Sequence, residues 1–400
     1  MTIVKIDRLG SKGDGIGRIG DANVFVTKVL AGETVEISQG KLKRIVETSS
    51  ERIQAFCKYF DQCGGCKFQH WQHAPYAEWK RSLVVDALKS QGIDAAVEPM
   101  IDAHGAGRRR VSLHVRQIGG EWVAGFMEAK SHDLVAIDLC PILVPQLAQA
   151  TALAASFGPT LGNCDVMITV ADNGLDVAVK AERQAANKHI AQFRMIMEKY
   201  KIMRLALNDE VVAQLTTPTI AIGPAHLQLP VNSFLQATAA GEDELVRLAK
   251  THFSKAKRIL DLFCGVGPFT FRLAEIGKVH GIDSDKNAVA SLLQATRFVQ
   301  GLKPITAQAR DLFDNPLVAE ELNEFDSVIF DPPRAGAEEQ SKQLAKSKVK
   351  RIVAVACDAQ SFARDAAILM KGGYKIGQVT PVDQFKYSAH VEIVASFTRR

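Results

Sequence analysis

Seven cysteines, at positions 57, 63, 66, 140, 164, 264 and 357, carry most of the distinctive chemistry of this 400-residue chain. Cys357 is the one placed to act as a nucleophile. It follows the apolar run Arg351–Ala356, which reads as a strand, and precedes a helical pattern that begins near Gln360. A helix N-terminus favours negative charge, so it is expected to lower the pKa of this thiol, and the thiolate is the attacking form. A thiolate there could add to an electron-poor ring carbon, and a base must then remove a proton before the adduct can eliminate. Glu392, in His390-Val391-Glu392, is the candidate base, although a glutamate on an edge strand would show the same spacing.

A second set of residues marks a small-molecule site at the same sheet edge. The run Ile259-Leu260-Asp261-Leu262-Phe263 leads into Cys264-Gly265-Val266-Gly267 and then a helix. Glycines let a backbone approach a ligand, and the helix N-terminus supplies free N–H groups. A glycine turn alone does not separate a dinucleotide from S-adenosylmethionine. The next strand ends at Asp283, about 20 residues on, where a carboxylate can meet ribose hydroxyls. The turn lacks the third glycine of a pyrophosphate fingerprint, which favours a cofactor without phosphates. Asp311 follows the third strand and Asp331 opens Asp331-Pro332-Pro333-Arg334 after the fourth. Carboxylates at successive strand ends point to one site.

A third set reads Cys57-x5-Cys63-x2-Cys66, with Gly64-Gly65 between the last two and Cys140 in Asp138-Leu139-Cys140-Pro141. Four thiolates suit either zinc or an iron–sulfur cluster. An odd cysteine count argues against a disulfide framework and for ligation or catalysis. Cys164 and Cys264 are left over and read as structural. Arg108-Arg109-Arg110 is either a solvated turn or a holder of phosphates.

These groups must be positioned by three regions. Residues 1–47 alternate short β-rich runs with glycines at 10, 13, 15, 17 and 20, read as turns, which suggests a small β-barrel. Eight Lys and Arg up to Arg44 make it basic. Residues 48–231 hold the clustered cysteines and many short β-like runs. Residues 232–400 alternate strands with helices, which predicts a doubly wound parallel α/β sheet, Rossmann-like. Strands are expected at 258–263, 279–283, 305–309, 327–330 and 351–356. A last strand, Val391–Phe397, follows the candidate Tyr374–Thr380 without a helix between and is expected to insert antiparallel.

Composition is that of an ordinary globular protein, 47% hydrophobic and 23% charged, with a net charge of +5. No apolar run is long enough to span a bilayer and no secretory signal is visible, so no membrane association and a cytoplasmic location are expected.

The motifs Asp261-Leu262-Phe263-Cys264-Gly265-Val266-Gly267, Asp331-Pro332-Pro333-Arg334-Ala335-Gly336, Ala356-Cys357-Asp358 and His390-Val391-Glu392 occur in order. On them, residues 232–400 resemble the RNA uracil-5 methyltransferases, a class I methyltransferase family. That resemblance implies S-adenosyl-L-methionine as methyl donor, Cys357 as nucleophile toward uridine C6, and Glu392 as base at C5. It also implies cofactor contacts from Gln236, Phe263, Gly265, Asp283, Asp311 and Asp331. Three residues depart from the family pattern: Pro268 and Asp358 stand where asparagine is usual, and Asp283 where glutamate is usual. Cys57, Cys63, Cys66 and Cys140 resemble the 4Fe-4S ligands of the family's ribosomal members, and the N-terminal barrel is similar to the OB-like, RNA-binding TRAM domain. The implied substrate is 23S ribosomal RNA first and the T-loop of transfer RNA second, with the protein acting as a monomer. A non-catalytic RNA-binding module is disfavoured by intact Cys357 and Glu392. A dinucleotide-dependent oxidoreductase is disfavoured by the missing glycine.

Overall fold

A computed structural model describes residues 1–183 and 189–399. The C-terminal unit is built on an eight-stranded sheet. Its spatial order is Ile305–Ala309, Lys278–Asp283, Arg258–Leu262, Ser327–Phe330, Arg351–Ala356, Glu392–Thr398, Lys375–Asp383 and Ile101–Asp102. The first five strands run parallel, and Glu392–Thr398 inserts antiparallel between Arg351–Ala356 and Lys375–Asp383, as the missing helix predicts.

Successive strand residues point to opposite faces, and both faces of the central strands are covered, so those strands are mostly apolar. Leu260, Leu262, Ile352 and Ala354 pack on one side, while Ile259, Val353 and Val355 pack on the other. The first side is closed by the helices Glu338–Lys346 and Ala359–Lys371 and also by His73–Ser90, whose Val84, Ala87 and Leu88 join the same core. The second side is closed by Ala239–His252 and Pro268–Leu273. A helix and an edge strand from the middle of the chain therefore complete the C-terminal sheet.

The rest of the middle region centres on a seven-stranded sheet, ordered Glu210–Gln214, Ile202–Leu207, Gly174–Ala181, Cys164–Ala171, Arg110–Ile118, Glu121–Met127 and Leu134–Ala136. Residues 1–47 form a five-stranded antiparallel sheet, ordered Ala22–Val26, Gly15–Ile19, Thr2–Leu9, Thr34–Ser38 and Lys41–Glu47. Its edge strands are not paired with each other. Side chains from both nevertheless pack on one core around Val4, Ile6, Val35 and Ile37, so the sheet curls over itself.

Two of the glycines read as turns lie instead within the strand Gly15–Ile19. A Cβ on Gly17 would sit 2.4 Å from the Lys5 carbonyl oxygen, and one on Gly15 would sit 2.3 Å from a Val29 methyl. These positions need glycine for close packing across the sheet, a constraint that looks like turn chemistry in a sequence. No described helix is long and apolar enough to cross a membrane.

Candidate active site

The strand Arg258–Leu262 ends in a turn that only unusual backbone angles allow. Phe263 (φ 62°), Gly265 (φ 51°) and Gly267 (φ 91°) all adopt left-handed conformations before the helix Pro268–Leu273. Pro268 opens that helix at a position where a missing N–H costs nothing and a fixed φ helps. Its departure from asparagine thus has a local structural use. The Gly265 N–H donates to Asp283 Oδ2 at 2.8 Å, and the Asp285 N–H donates to Asp283 Oδ1 at 2.8 Å. Oδ2 of Asp283 therefore pins the turn while Oδ1 holds its own loop, and each oxygen has a second lone pair.

A cleft of 40 Å³ gathers Phe234, Gln236, Phe263, Gly265 and Asp331. Asp283 is tied to it through Gly265. Asp311 is exposed and does not line it; its Oδ1 caps the following turn by accepting from the Phe313 N–H at 2.9 Å. Phe313 lies against Phe263, ring centroids 5.6 Å apart, and brings the Asp311 loop to the cleft's margin.

Cys357 sits between the strand Arg351–Ala356 and the helix Ala359–Lys371, half-buried. The expectation of a lowered thiol pKa is not met: the pKa is pushed up to about 12, first by burial and then by Glu392 and Asp331, with Arg334 opposing. Burial first, and the two carboxyls after it, outweigh the helix terminus. Asp358 caps the helix, its Oδ1 accepting from the Gln360 and Ser361 N–H groups at 3.0 Å each. Aspartate and asparagine cap equally well, which accounts for that departure.

Glu392 is buried on the inserted strand. Burial, then Asp331, pushes its pKa up, while Gln384 and Lys80 oppose. Burial also pushes Asp331 up, against a hydrogen bond from Gln236. A chain of side chains joins the two: Gln236 Nε2 donates to Asp331 at 2.8 Å, and Gln384 Nε2 donates to both Gln236 Oε1 at 2.6 Å and Glu392 Oε1 at 3.0 Å. Glu392 Oε2 has no partner.

Several of these supports were not singled out in the sequence. Gln384 is one. Asp383 is another: it is buried and takes hydrogen bonds from Lys80 Nζ (2.6 Å) and Tyr76 Oη (2.9 Å), both on the helix His73–Ser90. The triple arginine proves to be neither a solvated turn nor, at two of its positions, a phosphate holder. Arg109 is buried, pairs with Glu242 and donates to the Gln236 carbonyl at 2.9 Å. Arg110 donates to Thr169 Oγ1 at 2.9 Å and to the Ser233 carbonyl. Both arginines hold the loop that carries Gln236. No sequence signal marked this, because Glu242, the buried acid that a buried arginine needs, lies 133 positions further along the chain.

The other cysteines lie elsewhere. Cys57, Cys63, Cys66 and Cys140 line one cavity of 260 Å³, together with Arg108. Burial pushes Cys66 up to about 11 and Cys140 up to about 12, and the neighbouring thiols add to both. Among the described residues, no three His, Cys, Asp or Glu side chains come together tightly enough for a single metal ion. Four thiols around one cavity are a donor set that suits either zinc or an iron–sulfur cluster. Cys164 and Cys264 are buried in separate cores.

Comparison with known proteins agrees with this geometry. Residues 166–400 match the tRNA (uracil-5-)-methyltransferase family. The chain is 40% identical to an uncharacterized RNA methyltransferase of Brucella suis, over 99% of this chain and 97% of that one. It is 30% identical to a 23S rRNA (uracil(1939)-C(5))-methyltransferase of Shewanella frigidimarina, over 99% and 95%.

The chain belongs to the RNA uracil-5 methyltransferase family.

Its fold is also that of the Pyrococcus abyssi tRNA (uracil-54, C5)-methyltransferase solved with S-adenosyl-L-homocysteine. The TM-score is 0.76 at 21% identity, covering 99% of each chain. In this methyltransferase the cleft beside the glycine turn and Cys357 lie at one sheet edge, where the class I fold places its ligands.

Proposed function

We propose that this methyltransferase uses S-adenosylmethionine to methylate C5 of a uridine in 23S ribosomal RNA, through a covalent bond from Cys357 to C6. The observation that carries the reading is the grouping of Cys357 and Glu392 around Asp331, which acts on both and lines the glycine-turn cleft. The methyl donor supplies an electrophilic methyl at its sulfonium. Cys357 gives its proton to solvent water and its Sγ adds to C6; the C5–C6 π pair moves to C5, which takes the methyl as the donor's S–CH3 pair stays on its sulfur. Glu392 then removes the C5 proton, the pair re-forms the C5–C6 double bond, and Cys357 departs. The unpartnered Glu392 Oε2 is the oxygen free to do this. Gln236, Phe263, Gly265, Asp283 and Asp331 would hold the donor, with Asp311 at the margin. A uridine in a helix or stacked loop must be flipped out for Sγ to reach C6.

Cys57, Cys63, Cys66 and Cys140 would hold a 4Fe-4S cluster, which supplies a tie between two loops and no electrons to methyl transfer. The curled N-terminal sheet would act as a TRAM-like RNA-binding barrel, and the protein as a cytoplasmic monomer. The 23S ribosomal RNA enzyme at 30% identity over nearly the full length favours ribosomal over transfer RNA.

The test pairs two variants of the full chain on unmodified 23S ribosomal RNA. Cys357→Ala should abolish both methylation and any covalent adduct. Glu392→Gln should accumulate a methylated protein–RNA adduct on a denaturing gel. Normal turnover by Cys357→Ala overturns the covalent mechanism. Methylation of transfer RNA alone overturns the ribosomal target.

A further inference from the structure

Gln384 is fully buried, two residues beyond the position that pairs with Glu392 across the sheet. Its amide nitrogen spends both hydrogens on the site: one goes to Gln236 Oε1 at 2.6 Å and one to Glu392 Oε1 at 3.0 Å. Its amide oxygen has no hydrogen-bond partner and is packed against the start of the helix Ala239–His252. A Cβ on Gly241 would come within 2.7 Å of Gln384 Cβ and 2.8 Å of Oε1. Gly241 has an ordinary helical backbone, so the glycine is there for close packing, against Gln384 and against the cap Thr238 Oγ1 (also 2.8 Å), and not for a turn. One side chain is thus wedged between a helix and two members of the site.

We infer that Gln384 is a positioning residue for the proton-removal step: it holds Glu392 by one oxygen, leaves the other without a hydrogen-bond partner, and ties that carboxylate to the methyl-donor side through Gln236 and Asp331. The inference rests on the reading of Glu392 as base. An N–H donated to a carboxylate stabilises its charged form. Without it Glu392 would hold its proton to higher pH and turn more freely. The groups that act on Glu392 are known from the packing around it. Asp331, at the end of the strand Ser327–Phe330, raises its pKa, and Lys80, on the helix His73–Ser90, lowers it. Cys357 follows the adjacent strand, Asp383 on the other neighbouring strand is bonded to Lys80, and Glu242 on the helix Ala239–His252 is paired with Arg109 and Arg272. None of these changes when Gln384 is replaced by a side chain of similar volume.

The step affected is elimination, not addition. Gln384→Met should therefore form the protein–RNA adduct at the normal rate and release it slowly. Loss of one hydrogen bond to the carboxylate should move the acid limb of release upward by about one pH unit, making release about tenfold slower at neutral pH and less so toward pH 9. Gly241→Ala, which leaves Gln384 in place but displaces it, should give the same signature in weaker form. Gln384→Asn, which keeps the amide on a shorter stem, should recover part of the release rate.

The experiment follows adduct formation and decay in single-turnover reactions of the full-length, anaerobically purified protein with unmodified 23S ribosomal RNA, from pH 6 to 9. Glu392→Gln runs alongside. Adduct accumulation in Gln384→Met with an upward-shifted release profile, echoed by Gly241→Ala, supports the inference. Unchanged release in Gln384→Met overturns it. A uniform loss of addition and release at every pH also overturns it, because that is what a merely structural residue would give. If Glu392→Gln itself turns over freely, the base has been misassigned and the reading beneath fails. If Glu392→Gln traps adduct while Gln384→Met does not, only the role of Gln384 falls.

Discussion

The two groups of cysteines in this chain are buried to similar degrees and face opposite company. In the 260 Å³ cavity, four thiols face one another, with Arg108 on the wall. At the sheet edge, Cys357 stands alone against two carboxyls, Glu392 and Asp331. Burial raises the pKa of Cys140 and of Cys357 alike, each up to about 12. The shift itself therefore does not tell ligand from nucleophile. The neighbours do: mutually repelling thiolates are relieved by a cation shared among them, whereas a thiol beside acids is held neutral until a substrate accepts its electrons.

The largest expected effects test this division directly. Cys357→Ser should lose activity by several orders of magnitude, because a hydroxyl at this site is a far poorer nucleophile, while iron content and melting temperature stay as in the wild type. Cys140→Ser should do the reverse in kind: a fall in iron per chain measured by metal analysis, and a drop in melting temperature by calorimetry. Activity in Cys140→Ser should fall only as far as the fold does. Iron loss in Cys357→Ser, or unchanged iron in Cys140→Ser, would break the comparison.

A smaller effect concerns the cost of keeping Glu392 buried. Its pKa in the folded protein is raised above the ordinary carboxyl value, mainly by burial. Between those two values the folded state binds the proton more tightly than the unfolded chain does. By linkage, this group makes stability fall as pH rises from about 4.5 to the raised pKa, and the loss is complete above it. Glu392→Gln removes the titrating group. The variant should therefore melt at the wild-type temperature near pH 5 and above it at pH 8 to 9, by a few degrees. Equal melting curves at both pH values would mean that Glu392 is ionised without penalty, and the contrast between the two thiol environments would lose half its basis.

What the sequence revealed follows a physical divide. The parallel strands were legible because both faces are covered, so Arg351–Ala356 is apolar after its first residue and Arg258–Leu262 is interrupted after its arginine only by the buried Asp261. The antiparallel insertion of Glu392–Thr398 followed from a missing helix. The placing of the candidate residues Asp331 and Cys357 at strand ends was legible for the same reason, since the fold itself puts strand ends together. Contacts made by long-range folding were not. Nothing in residues 73–90 announces that Lys80 will be buried on Asp383, about 300 positions away, or that Arg109 will grip the loop carrying Gln236. Gln384 carries no charge and matches no pattern. Its role appears only when Gly241 is brought against it. The pKa of Cys357 was misjudged because a helix terminus is visible in a sequence, whereas the burial of the thiol and the two acids that folding brings beside it are not.

The smallest effect sharpens the comparison at the nucleophile itself. The cysteine cavity would be held in shape by its own ligands, but the Cys357 backbone has only the local chain to fix it. Asp358 is that fixture, accepting hydrogen bonds from two N–H groups of the first helical turn. Asparagine offers the same acceptor oxygen, so Asp358→Asn should leave stability and turnover nearly unchanged. It also removes a negative charge beside Cys357 and should speed thiol alkylation slightly. Asp358→Ala leaves those N–H groups without their acceptor and should cost about 1 kcal/mol of stability, the usual worth of an N-cap. Because the frayed turn directly follows Cys357, turnover should drop more than stability alone predicts, while iron content stays constant. If Asp358→Ala instead melts and turns over as the wild type does, the nucleophile is positioned by strand pairing alone, through the Ala356–Ile393 register.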